Sequence, residues 1–170
     1  AYGNSAGAHL VSMLGVVKKE AGLEGKGTHL NQSSLVQAVC ASATPSNFLK
    51  WKNQLFPNRG LLAGDQENHH VRAAQASPVT YVAEDAPPFL LVHAENDRTV
   101  PFKQGEFLAD RLKESGAKNV TLMRFKDGGH GVFRAKETKT FKAMEKFFAK
   151  VLKKSAGATT PKNKGTNGCN

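Results

Sequence analysis

Apolar residues recur along this chain at two different periods, and their alternation lays out an order of helices and strands. From Ala6 to about Glu20, the residues Ala6, Leu10, Met13, Leu14 and Val17 follow helical spacing. Lys18 and Lys19 occupy the last turn, and glycines at 22, 25 and 27 end it. Ser34 to Ser42 carries Leu35, Val36, Ala38, Val39 and Cys40 between polar loops, the pattern of a buried parallel strand. Ala43 to Gly64 then breaks period, with Phe48, Trp51, Leu55, Phe56, Leu61 and Leu62 set among prolines and lysines. Asp65 can cap a helix from Gln66 to about Ala76, which Pro78 stops. Phe89 to His93 predicts a second buried strand after Pro87 and Pro88. Phe102 to Ser115 is amphipathic through Phe107, Leu108 and Leu112, and Gly116 suits its C-terminal cap. Asn119 to Phe125 predicts a third strand. Arg134 to Lys153 places Phe141, Met144, Phe147, Phe148 and Val151 on one face of a long helix.

Strand alternating with helix predicts an α/β class, with a parallel sheet inside a three-layer α/β/α sandwich. Residues 1–153 read as one domain, and 154–170 as a basic, disordered tail without apolar residues to bury. Lysine and arginine number 24 against 14 acids, a net charge of +10. Such a balance can signal a nucleic-acid or acidic-polymer partner. Here Lys153, Lys154, Lys162 and Lys164 supply part of the excess, and no basic stripe interleaved with aromatics accompanies it. A solvated basic surface is therefore expected, with no nucleic-acid partner. Cys40 in an apolar run and Cys169 in the tail do not make a disulfide framework. No apolar run approaches the roughly 18 residues that a membrane span needs.

The chemistry concentrates at the start. Gly3-Asn4-Ser5-Ala6-Gly7 is a G-x-S-x-G motif, read as a tight strand-to-helix turn presenting a serine nucleophile. The glycines on either side of Ser5 are expected to remove Cβ atoms that would collide in that turn. The N–H of Ala6, opening the helix, is placed to stabilise an oxyanion. Downstream, Asp97 and His130 each follow a strand-like run, giving the order Ser, Asp, His. Glu95 and Asp127 compete for the acid, and Asp97 also has a plain reading as a cap for the helix near Pro101. His9 sits one turn after Ser5 but on a helix that points it back under the turn, which favours a packed structural role. His69 and His70, adjacent on a helix, diverge by about 100° and cannot share a metal there. Phe48, Trp51 and Phe56 are candidates for a substrate pocket in a cap beyond the strand ends, or simply anchors of an irregular connection.

The segments Gly3 to Leu10, Ser77 to Val82, Pro87 to His93, Asn96 to Pro101 and Gly129 to Gly131 together resemble the C-terminal portion of an α/β-hydrolase of the esterase/lipase group. The nearest likeness is to bacterial feruloyl and acetyl-xylan esterases, a branch bordering the prolyl-oligopeptidase-like peptidases. The resemblance implies a serine hydrolase that cleaves carboxylic esters through Ser5, His130 and Asp97, with the acid following the penultimate strand. It implies no cofactor or metal, and a small-molecule or carbohydrate-linked ester as substrate. It also implies that the first strands of the sheet and the second oxyanion donor belong upstream of Ala1, so that this chain alone is expected to be inactive. The alternatives are a prolyl-oligopeptidase-like peptidase and a non-catalytic basic domain of the same fold.

Overall fold

In a computed structural model that describes residues 1–51, 62 and 68–156, four parallel strands form one sheet. They are β1 (Tyr2–Asn4), β2 (Val39–Ser42), β3 (Phe89–Ala94) and β4 (Val120–Phe125), lying side by side in chain order. The register pairs Gly3 with Ala41, Ala41 with Leu91, and Leu91 with Leu122. Strands buried on both faces need no alternation, and β3 is buried at all six positions.

The helices are α1 (Ala6–Val16), α2 (His69–Ala76), α3 (Phe102–Glu114), α4 (Val132–Ala135) and α5 (Glu137–Ala156). On one face of the sheet, Val39, Ala41, Phe89 and Leu91 pack against Ala8 and Val16 of α1 and Leu108, Ala109 and Leu112 of α3. On the other, Cys40, Leu90, Val92 and Ala94 meet Val132 and Phe133 of α4, with Met144, Phe147 and Phe148 of α5. Helices on both faces make the expected three-layer sandwich.

Several local expectations give way. β2 is half as long as its apolar run: only Val39–Ser42 pairs, and Leu35 is exposed. The helix expected to reach Glu20 stops at Val16, where Val17 turns extended (φ −81°, ψ 117°). Its buried face also differs from the periodicity. Ala8, Ser12, Gly15 and Val16 face the sheet, while Leu10 is 61% exposed. Close approach explains the choice, since a Cβ on Gly15 would stand 2.7 Å from a Val39 methyl. The long C-terminal helix is two helices, broken at Lys136 (φ −118°, ψ 33°). The buried Thr140 hydroxyl donates to the Phe133 carbonyl at 2.6 Å, supplying a donor at that break. The proposed Asp65 cap and most of the tail, including Cys169, lie outside the described residues. Cys40 is buried in the core, and burial pushes its thiol up to about 12.

Candidate active site

Parallel strands bring their carboxyl ends to one edge, and the three loops leaving β1, β3 and β4 carry Ser5, Asp97 and His130 to it. Ser5 joins β1 to α1 with φ 55° and ψ −120°, a conformation that costs a non-glycine residue about 1–3 kcal/mol. It is held there from three sides. Ser5 N–H donates to the Ser42 carbonyl at 2.9 Å, and its own carbonyl accepts from His9 N–H at 3.0 Å. Gly3 lies directly against the turn: a Cβ there would stand 2.2 Å from the Gly7 carbonyl oxygen. The expectation that both glycines relieve collisions is corrected on this point. At Gly7, nothing among the described residues beyond its chain neighbours and its own helix backbone lies within 4 Å of the Cβ position, so Gly3 answers the steric demand.

His130 bridges the other two groups. Its Nδ1–H donates to Asp97 Oδ2 at 2.9 Å, and Ser5 Oγ lies 2.8 Å from Nε2. A carboxylate only accepts, so Nδ1 carries the proton and Nε2 of the neutral ring is left to accept from the serine hydroxyl. The Asp97 side chain is wholly buried, and its two oxygens divide the labour. Oδ1 accepts from Thr99 N–H at 2.8 Å and Val100 N–H at 2.9 Å, which is the capping-type turn the sequence also allowed. Oδ2 faces His130. Burial would raise the Asp97 carboxyl, but donors from His93, His130, Val100 and Thr99 outweigh it and hold the group at about 2. An anion beside His130 is thus present throughout the neutral range.

The rival acids are occupied elsewhere. Glu95 accepts from Arg124 at 2.6 Å, and Asp127 pairs with Lys136. His9 points away from Ser5. Its Nε2 bonds the Ala76 carbonyl at 2.7 Å and its ring meets Phe48 edge-on, a packed structural position. His69 and His70 sit at right angles at the start of α2. Among the described residues no group of three His, Cys, Asp or Glu is arranged to hold a metal. Ala6 is exposed, and as the first residue of α1 its N–H has no intrahelical acceptor. Phe48 and Trp51 stack at 5.7 Å in a cluster with Leu62, Ala73 and Val100. They are buried there, anchoring the connection after β2, and Phe56 lies outside the described residues.

Two residues near the array carried no signal that local reading would isolate. His93, the one polar residue of β3, is buried with Nε2 3.0 Å from the Val100 carbonyl and 3.5 Å from Asp97 Oδ2. A Cβ on Gly105 would come within 2.6 Å of its Nδ1, so α3 seats closely on this ring. Ala43, directly after β2, has φ 52° and donates its N–H to the Val92 carbonyl. A polar residue inside an apolar strand marks His93 out in the sequence, but not its contact with Asp97.

The BD-FAE family model matches residues 1–112, and the model of TAP-like proteins matches residues 66–160. The chain belongs to the esterase-type α/β-hydrolases. Among curated relatives, the esterase LipQ of Mycobacterium tuberculosis is 26% identical over 132 residues, covering 75% of this chain and 31% of its own length. Of solved structures, a truncated carbohydrate esterase from gut microbiota superposes with a TM-score of 0.73 at 27% identity, covering 88% of this chain and 57% of that one. Esterase 2 of Thermogutta terrifontis, bound to butyrate, shares the fold with a TM-score of 0.70 at 23% identity, over 89% of this chain and 55% of that one. The hydrolase chain spans 31–38% of the length of the curated relatives it matches. No helix among its described residues is long and apolar enough to cross a membrane.

Proposed function

We propose that the protein carrying this chain hydrolyses carboxylic esters by two-step acyl transfer on Ser5. The observation that carries this reading is the single imidazole of His130, within hydrogen-bond distance of both the Ser5 hydroxyl and the buried Asp97 carboxylate. His130 Nε2 takes the proton of Ser5 Oγ as that oxygen attacks the ester carbonyl. The tetrahedral oxyanion draws on the Ala6 N–H, and its collapse expels the alcohol, which receives the proton from Nε2. Water then repeats the sequence on the acyl-enzyme, and its hydroxyl goes to the released acid. Asp97 holds Nδ1–H in place and offsets the positive charge on the ring in both halves of the reaction. The names of the relatives favour an ester of a small molecule or of a carbohydrate over a peptide.

The test is a comparison of p-nitrophenyl acetate with a peptide anilide, beside a Ser5→Ala control, in the protein carrying this chain. A Ser5-dependent rate on the ester, little on the anilide, and stoichiometric labelling of Ser5 by an organophosphonate are expected. An ester rate unchanged in Ser5→Ala would overturn the assignment. A dominant Ser5-dependent anilide rate would move the protein to the peptidases.

A further inference from the structure

The two loops that meet at Ser5 are held to their places very unequally. The loop bearing Asp97 is pinned at its base: Glu95 N–H donates to the Phe125 carbonyl at 2.8 Å, Asp97 N–H to Ala94, and Asp97 Oδ1 gathers two further backbone donors. The loop bearing His130 runs from Phe125 to Val132 through Gly128 (φ 116°), Gly129 (φ 57°) and Gly131. Gly129–Gly131 form one 3-10 turn, closed by Val132 N–H on the Gly129 carbonyl. The chain enters it through two glycines at positive φ, whose neighbouring conformations are close in energy, so the turn alone does not fix the direction of the His130 side chain. Apart from His130's own side chain and the Asp127–Lys136 pair, one side-chain bond among the described residues ties it down. Asn96 Oδ1 accepts the N–H of Gly129 at 2.9 Å, holding the Gly128–Gly129 peptide one residue before His130.

We propose that Asn96 is a positioning residue for His130. Asn96 and Asp97 are consecutive on one loop, and Gly129 and His130 are consecutive on the other. The bonds Asn96–Gly129 and Asp97–His130 therefore form a pair across the gap. One bond fixes the ring and the other fixes the backbone from which the ring projects. A single pivot at Asp97 Oδ2 would leave the imidazole free to swing about it, whereas two adjacent attachments define its angle to Ser5 Oγ. Asn96 itself is exposed and packs into no core, so its side chain contributes through this acceptor rather than through bulk. Misplacement of a reacting group by a fraction of an ångström is costly to rate, which is why such a bond matters.

This inference rests on the esterase reading, and its test keeps the two apart. Wild type, Ser5→Ala, Asn96→Ala and Asn96→Asp are assayed on p-nitrophenyl acetate from pH 5 to 9, with active sites counted by phosphonate labelling. Asn96→Ala removes the acceptor, and kcat per labelled site should fall about twofold to tenfold with KM nearly unchanged, the scale of one net hydrogen bond. Asn96→Asp keeps the acceptor and should return kcat on the alkaline plateau to near wild type. Absence of any Ser5-dependent rate in wild type defeats the esterase reading and this inference with it. A wild-type rate with a smaller loss in Asn96→Ala, or a loss that Asn96→Asp does not recover, overturns the positioning role and leaves the esterase reading standing. A drop in labelled sites without a drop in rate per site also overturns it, because Asn96 would then serve only the fold.

Discussion

Replacing Asp97 by asparagine separates its two duties, because the substitution leaves one oxygen where two now act. Oδ1 accepts two backbone N–H groups at 2.8 and 2.9 Å, while Oδ2 accepts from His130 at 2.9 Å. With its oxygen kept on the Thr99 and Val100 side, asparagine preserves two bonds. Turned the other way, it sets its amide donors against two backbone donors. The first orientation is therefore favoured by at least about 1 kcal/mol, the net value of one hydrogen bond. Its NH₂ then faces His130 Nδ1, where it is met by another donor. The imidazole relieves this by moving its proton to Nε2, and a protonated Nε2 cannot take the proton of Ser5. The known cost of a wrong tautomer in such an array is about 10⁴ in kcat, or some 5 kcal/mol of barrier. Asp97→Asn should thus lose about 10³–10⁴-fold in kcat on p-nitrophenyl acetate, yet melt cooperatively, since its turn is intact. Circular dichroism melts and phosphonate labelling complete the assay. Activity within tenfold of wild type in folded protein would refute the orienting role. A comparable loss in Glu95→Gln or Asp127→Asn, with Asp97→Asn active, would give the role to a different acid.

Three further outcomes follow from the geometry. The Asp97 carboxyl is depressed from 3.8 to about 2 in the folded protein, so its stabilisation is complete above 3.8 and is lost as pH falls through about 2. Between pH 5 and pH 2, urea titrations should show wild type losing about 2 kcal/mol more than Asp97→Asn. Gly3→Ala should destabilise by about 3 kcal/mol or more and abolish activity, whereas Gly7→Ala should be neutral or stabilising by up to about 1 kcal/mol, as read from melting temperatures. Equal effects at the two positions would contradict the close packing of Gly3 against the Gly7 carbonyl. His130→Ala should remove several orders of magnitude from kcat. His9→Ala should lower the melting temperature by losing its bond to Ala76 and its contact with Phe48, while leaving kcat within a few-fold of wild type.

What the sequence determined by itself was the kind and order of the elements, and which residue types stand at the carboxyl ends of the strands. Both are local properties. The run Phe89 to His93 is apolar over the length of one strand, and Phe102 to Ser115 keeps a single apolar face, so either segment declares itself without its neighbours. Gly3, Ser5, Asp97 and His130 were visible because G-x-S-x-G and the Ser, Asp, His order are patterns along the chain. Tertiary structure decided whatever depends on a second surface. Periodicity aimed the leucines of α1 inward, but the sheet accepts Ala8, Ser12 and Gly15 there, because only small side chains let that helix approach Val39 and Phe89. The strand ending at Ser42 is short because β1 pairs with it over three residues and β3 over four. The division of Asp97's oxygens, His93 behind it, and the grip of Asn96 on Gly129 join residues brought together only by the parallel sheet. A hydrogen bond between positions 96 and 129 is specified by where β3 and β4 end in space, and no spacing along the chain encodes that distance.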